Sequence, residues 1–136
     1  MRRIVLAILG TFLLFTGVSK ADPLAVRATI SAQLDAFRAG DADAAYTYAA
    51  PSIRQMFPTA EGFIRMVRRG YRPVYEARDA VFLRAQEMPS GGYAQEVGFT
   101  DATGDTWTAL YTLAQQSDGS WRITGCYLRK SGGRST

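Results

Sequence analysis

The chain contains no histidine. That absence closes off the Ser–His and Cys–His nucleophiles, the imidazole general base and any metal site built on imidazole nitrogen. Proton transfer, if any, falls to Asp, Glu or Tyr. Cysteine is nearly missing as well, with Cys126 the single example. One cysteine makes no internal disulfide, so the core must hold the fold without a covalent staple. Cys126 sits in the apolar run ITGCYL, where a buried and inert thiol is the expected state. Long hydrophobic segments are scarce too. The one extended apolar run, Ile4 to Val18, falls short of the ~20 residues that a spanning helix needs.

That run follows a short cationic start, Met1-Arg2-Arg3, and leads into Ser19-Lys20-Ala21, whose small residues have the pattern of a signal-peptidase site. Residues 1–21 therefore read as a cleaved export signal, and a periplasmic or secreted location is expected. No cysteine follows the run, so no lipid attachment is expected there. The whole chain carries 16 Lys+Arg against 12 Asp+Glu, a net +4. Arg2, Arg3 and Lys20 would leave with the signal, and the remainder is nearly neutral. A strong basic field, the footprint of a nucleic-acid binder, is thereby lost, and no nucleic-acid partner is expected.

Residues 22–136 have the length of one domain. Asp22-Pro23 offers an N-cap and a proline at the first helical position, and Val26, Ile30, Leu34 and Phe37 repeat at helical spacing up to Gly40. Asp41 can cap a second helix ended by Pro51, with one more turn before Pro58. Thr59 can cap a third, whose inner stripe is Phe63, Met66, Val67 and Gly70 and which Pro73 should end. After Tyr75 the apolar rhythm shortens to alternation. Strands are expected over 78–87, 93–100, 106–115 and 121–128, joined by the turn-forming PSGG, DATGD and SDGS. Three helices followed by a four-stranded antiparallel meander predict an α+β domain over 22–128, with the helices on one face of a curved sheet. Residues 129–136 (RKSGGRST) lack apolar side chains and read as a flexible basic tail.

Alternation assigns Val97, Phe99, Trp107, Ala109, Tyr111, Leu113, Trp121, Ile123 and Tyr127 to the helix-facing side. Leu110, Cys126 and Leu128 fall on the opposite parity, which would give the outer face an apolar character that permits a homodimer through the sheet.

The segments QLDAFRAGDADAAYTYAAP, MVRRGYRPVY and DGSWRITGCYL resemble the bacterial exported family known as domain of unknown function 4864. The helix–sheet order and the closing DGSWRITG also resemble the cone-shaped fold of nuclear transport factor 2-like proteins. That resemblance implies a pocket at the open end of the cone, between the first and third helices and the concave sheet. Tyr48, Gln95, Trp107, Tyr111 and Tyr127 are its candidate lining, suited to a small apolar or amphipathic ligand. Steroid-isomerase-like relatives oppose a buried carboxylate to an acidic oxyanion partner. Here only Asp101 and Asp79 could supply the carboxylate, and both read as turn or edge residues. A binding or interaction module without cofactor or metal is therefore preferred. A small enzyme using Asp/Tyr acid–base chemistry is the alternative.

MVRRGYRPVY carries the densest charge. Arg65, Arg68, Arg69 and Arg72 follow the i, i+3, i+4, i+7 spacing of one helix side, with Glu61 four residues ahead of Arg65. Such a side is either simply solvated or a place to capture an acidic partner or an anionic lipid surface.

Overall fold

The computed structural model describes residues 22–131, so the expected export signal and residues 132–136 of the expected tail lie outside it. Helix α1 (Pro23–Arg38) starts where Asp22 accepts hydrogen bonds from the Leu24 and Ala25 amides, at 3.0 and 3.3 Å. It buries Val26, Ile30, Leu34 and Phe37, and the chain leaves it through Gly40 at φ 66°, a left-handed turn that glycine adopts without strain. Helix α2 (Ala42–Thr47) is capped by Asp41, and α4 (Ala60–Gly70) by Thr59, whose hydroxyl accepts from the Gly62 amide.

Two further helices correct the expected count of three. The second and fourth helices end before Pro51 and Pro73, as expected, but each proline also opens a helix, the first where only one further turn was expected. Pro51 begins α3 (Pro51–Met56), and Pro73 lies in the first turn of α5 (Arg72–Tyr75). Proline lacks an amide hydrogen and has φ fixed near the helical value, so it costs nothing in a first turn, where the amides have no partner inside the helix.

The sheet is an open antiparallel meander in the order β1 (Arg78–Glu87), β2 (Tyr93–Thr100), β3 (Thr106–Gln115) and β4 (Trp121–Lys130). Arg129 and Lys130, expected in the tail, continue β4. Lys130 pairs in register with Trp107 and forms an ion pair with Asp105 at 3.3 Å. One face of β2 and β3 is buried beneath the helices: Val97, Phe99, Ala109, Tyr111 and Leu113 are each almost fully shielded. Val26, Ile30 and Phe37 of α1 belong to the same core.

The alternation fails once, in β4. Leu113 pairs with Ile123 but the preceding Thr112 pairs with Gly125, so Thr124 is an extra residue. A bulge of one residue reverses the facing of everything beyond it. Cys126 and Leu128 therefore sit opposite Tyr111 and Ala109 and pack against the core, and Tyr127 sits opposite Leu110 and is 67% exposed. This corrects the expected inward Tyr127 and outward Cys126 and Leu128. The exposed apolar side chains of the outer face are Val81, Leu83, Leu110 and Tyr127.

Just before the bulge, β4 is tied to the helices. Ile123 donates to the Tyr48 carbonyl and accepts from the Ala50 amide, each at 2.8 Å. These two bonds hold the start of α3 against the edge strand.

Candidate functional site

The tie at Ile123 leaves space between α3 and the sheet. On α3, Ile53, Met56 and its C-cap Phe57 share one side at i, i+3, i+4 spacing. On α4, Phe63, Met66 and Val67 repeat that spacing. Both stripes face a cavity of about 370 Å³, closed by α1 and α5 on one side and by Tyr111, Ile123 and Gly125 on the sheet side. Two contacts from α2 keep α3 in place. The Tyr46 hydroxyl donates to the Phe57 carbonyl at 2.5 Å, and the Arg54 guanidinium lies 4.6 Å from the Tyr46 ring centre while donating to the Tyr46 carbonyl. The hollow is thus walled by apolar side chains on short, tethered elements.

Its polar groups are few. Tyr111 is 1% exposed, and its hydroxyl has no hydrogen-bond partner. Burial pushes the phenol well above its ordinary 10.0, so it stays protonated and able to donate. Cys126, its register partner across the strands, lies close enough for thiol and phenol to act on one another, but the geometry falls short of a formed hydrogen bond. Burial also pushes that thiol up, from 9.0 to about 12. Gln33 donates through Nε2 to the Ala45 carbonyl at 3.1 Å, which fixes an amide on the cavity wall. No Asp, Glu, Lys or Arg lines the space.

The residues singled out in the sequence are dispersed. Tyr111 lines the cavity. Tyr48 is half-buried at the end of α2 and contributes its carbonyl to the β4 tie. Gln95 is fully buried, but its Nε2 lies 2.9–3.4 Å from the carbonyls of Leu83, Arg84 and Glu96, which pins the irregular middle of β1. Trp107 is half-buried at the far end of β3 and donates from Nε1 to Asp101 at 2.8 Å. Tyr127 faces outward, for the reason given by the bulge.

Neither candidate carboxylate lines the cavity. Asp101 accepts from the Thr103 hydroxyl and amide, the Trp107 indole and the Asp105 amide; these bonds, the Thr103 hydroxyl first, lower it from 3.8 to about 2. Asp79 is exposed at the start of β1 with φ 52°.

The four arginines are all exposed but differ in company. Arg72 pairs with Glu76 at 3.0 Å, and Arg68 lies 5.7 Å from the Tyr75 ring centre. Arg65 and Arg69 have no partner among the described residues, and Glu61 forms no ion pair with Arg65.

Sequence reasoning missed Phe57, Phe63, Met66 and Cys126 as cavity residues. Helical spacing marked Phe63 and Met66 as inward, yet inward side chains can equally fill a core. Cys126 was hidden by the bulge. Among comparisons with known proteins, the model of a family described as Domain of unknown function (DUF4864) matches residues 19–136. No curated protein and no solved structure matches the chain.

Proposed function

For a chain that belongs to the family of domain of unknown function 4864, we propose binding of a small, uncharged, largely apolar ligand in the cavity between α3, α4 and β4. The observation that carries this reading is the Tyr111 hydroxyl, buried and unpartnered at an apolar hollow. Buried hydroxyls are nearly always paired, because leaving one bare costs roughly 1–3 kcal/mol. A ligand with a hydrogen-bond acceptor would remove that penalty once the wall shifts enough to uncover the hydroxyl. A charged ligand end would be desolvated with no counter-charge in the walls. The reading needs no proton transfer, metal or cofactor. It belongs to an exported protein, and it is compatible with the nuclear transport factor 2-like cone, whose concave side would hold the cavity.

Isothermal titration of the protein with a methyl ketone of about eight carbons, a size suited to a site of this class, should show saturable binding. The carboxylate of equal length should bind at least about tenfold more weakly, the consequence of burying an unpaired charge. Absence of any ketone, alcohol or ester binding, together with no retained molecule in native mass spectrometry, would sink the proposal.

A second reading, interaction through the sheet, is favoured by the outer-face group Val81, Leu83, Leu110 and Tyr127. If two copies pair there, Leu110→Lys converts a dimer to a monomer in sedimentation; a wild-type monomer at high concentration removes this reading.

A further inference from the structure

Tyr71 and Cys126 belong to two hollows at once. One is the cavity already described. The other is an open recess walled also by Gly70, Pro73, Trp107, Tyr127 and Leu128. Neither wall contains a charged side chain. The β4 bulge turns Cys126 and Leu128 toward the core side of the strand and so brings both to this recess, whose wall is uncharged but mixes polar and apolar surface. Tyr71 stands at the joint between α4 and α5. Its side chain packs against the core without a hydrogen bond or ring contact among the described residues, so no directional contact fixes it as a partition.

We propose that the two hollows form one site for an elongated, uncharged molecule with two apolar arms joined by a hydrogen-bond acceptor, such as an internal ketone or an ester. This rests on the ligand-binding reading above and extends it. The position of the polar group decides the shape of the ligand. Tyr111 is the register partner of Cys126, and Cys126 is one of the two residues shared by both hollows. The unpartnered hydroxyl therefore lies near the junction rather than at a closed end. A molecule that offers it an acceptor has uncharged wall on both sides of that point, apolar on the inner side and mixed on the outer. The phenol, held protonated by burial, donates to the acceptor, and the arms run past Phe63 and Met66 one way and past Trp107 and Leu128 the other. Charge is disfavoured along the whole path, because neither wall supplies an opposite one.

The two arms make the extension testable apart from its foundation. Trp107 borders the outer recess, and the only other tryptophan, Trp121, is buried against Tyr93 and borders neither hollow. In a Trp121→Phe protein, a dialkyl ketone whose second arm ends in bromine should quench the remaining tryptophan at the same concentrations at which calorimetry reports binding. In the unsubstituted protein, lengthening the second arm at a fixed first arm should tighten Kd by about fourfold for each methylene buried. Leu128→Arg, which puts a charge into the outer recess, should abolish that gain. Binding of methyl ketones with no gain from a second arm and no quenching overturns the two-armed site and leaves the single-cavity reading intact. If methyl ketones themselves fail to bind, both fall together.

Discussion

Replacing Tyr111 with Phe removes one oxygen and keeps the ring that fills the core. In the folded protein that oxygen is buried without a formed hydrogen bond, beside a thiol that is only a weak acceptor. In the unfolded chain it is hydrated. Folding therefore strips its water without replacement, at a cost of roughly 1–3 kcal/mol that Tyr111→Phe abolishes. The variant should be more stable by about 1 kcal/mol, a rise in Tm of about 4–8 °C for a domain of this size. The same oxygen is the proposed anchor, so ketone affinity should fall by about two- to tenfold, the worth of one neutral hydrogen bond. Opposite signs for stability and binding are the signature of a group kept for function. An alkaline signature accompanies them. Because the folded phenol is pushed well above 10.0, wild-type stability falls once the unfolded phenol ionises above that value, so the advantage of Tyr111→Phe is constant below it and widens above it. Urea unfolding of both proteins at neutral and alkaline pH, with calorimetric titration, supplies all three numbers. Destabilisation by 1 kcal/mol or more (roughly the worth of a made hydrogen bond) would mean that water already satisfies the hydroxyl, and the reasoning would fail.

The Cys126 thiol, pushed from 9.0 to about 12, should react with a disulfide reagent roughly 30- to 60-fold more slowly than a free thiol below pH 9, the lost thiolate being partly offset by its higher nucleophilicity, and at the ordinary rate in urea; an ordinary native rate would contradict its burial. Asp101→Asn should lower Tm at neutral pH. Because the folded carboxyl is depressed from 3.8 to about 2, the difference from wild type should be fully present above 3.8 and shrink as pH falls toward 2; a gap that persists in acid assigns the effect to geometry instead of charge. Arg65→Gln/Arg69→Gln should leave stability within about 0.5 kcal/mol, since neither side chain has a partner. If these two arginines capture an anionic surface, the double variant weakens salt-sensitive binding to anionic vesicles; vesicle binding that ignores both the substitutions and salt removes that role.

The elements whose ends are fixed by local chemistry were legible in the sequence. Asp22, Asp41 and Thr59 each cap the helix expected of them, and the first three strands have the bounds that alternation and turn residues gave. Proline was less informative, because the same residue that cannot continue a helix is well suited to begin one, as at Pro51 and in α5. Facing was read correctly through β2 and β3 and as far as Ile123. Beyond that, the register shift depends on how β4 is pinned to Tyr48 and Ala50, a contact between distant parts of the chain. No neighbouring residue announces it. The candidate site suffered most from that dependence. Tyr111 could be found by parity alone, but the thiol beside it, the α3 wall and the second recess exist only once three separated segments have met.

The single extra residue at Thr124 acts like a frameshift written into a strand. Upstream of it the side chains read in one phase, and downstream in the other, while the backbone ladder to β3 resumes. Regular pairing at constant length, with Thr124 opposite Thr112, would turn Tyr127 and Arg129 inward and Cys126 and Leu128 out, replacing a small apolar wall with a bulky and charged one. Across a lineage, loss of the extra residue would straighten the strand and keep the lining of the hollow, whereas a slip of the strand by one residue would replace it.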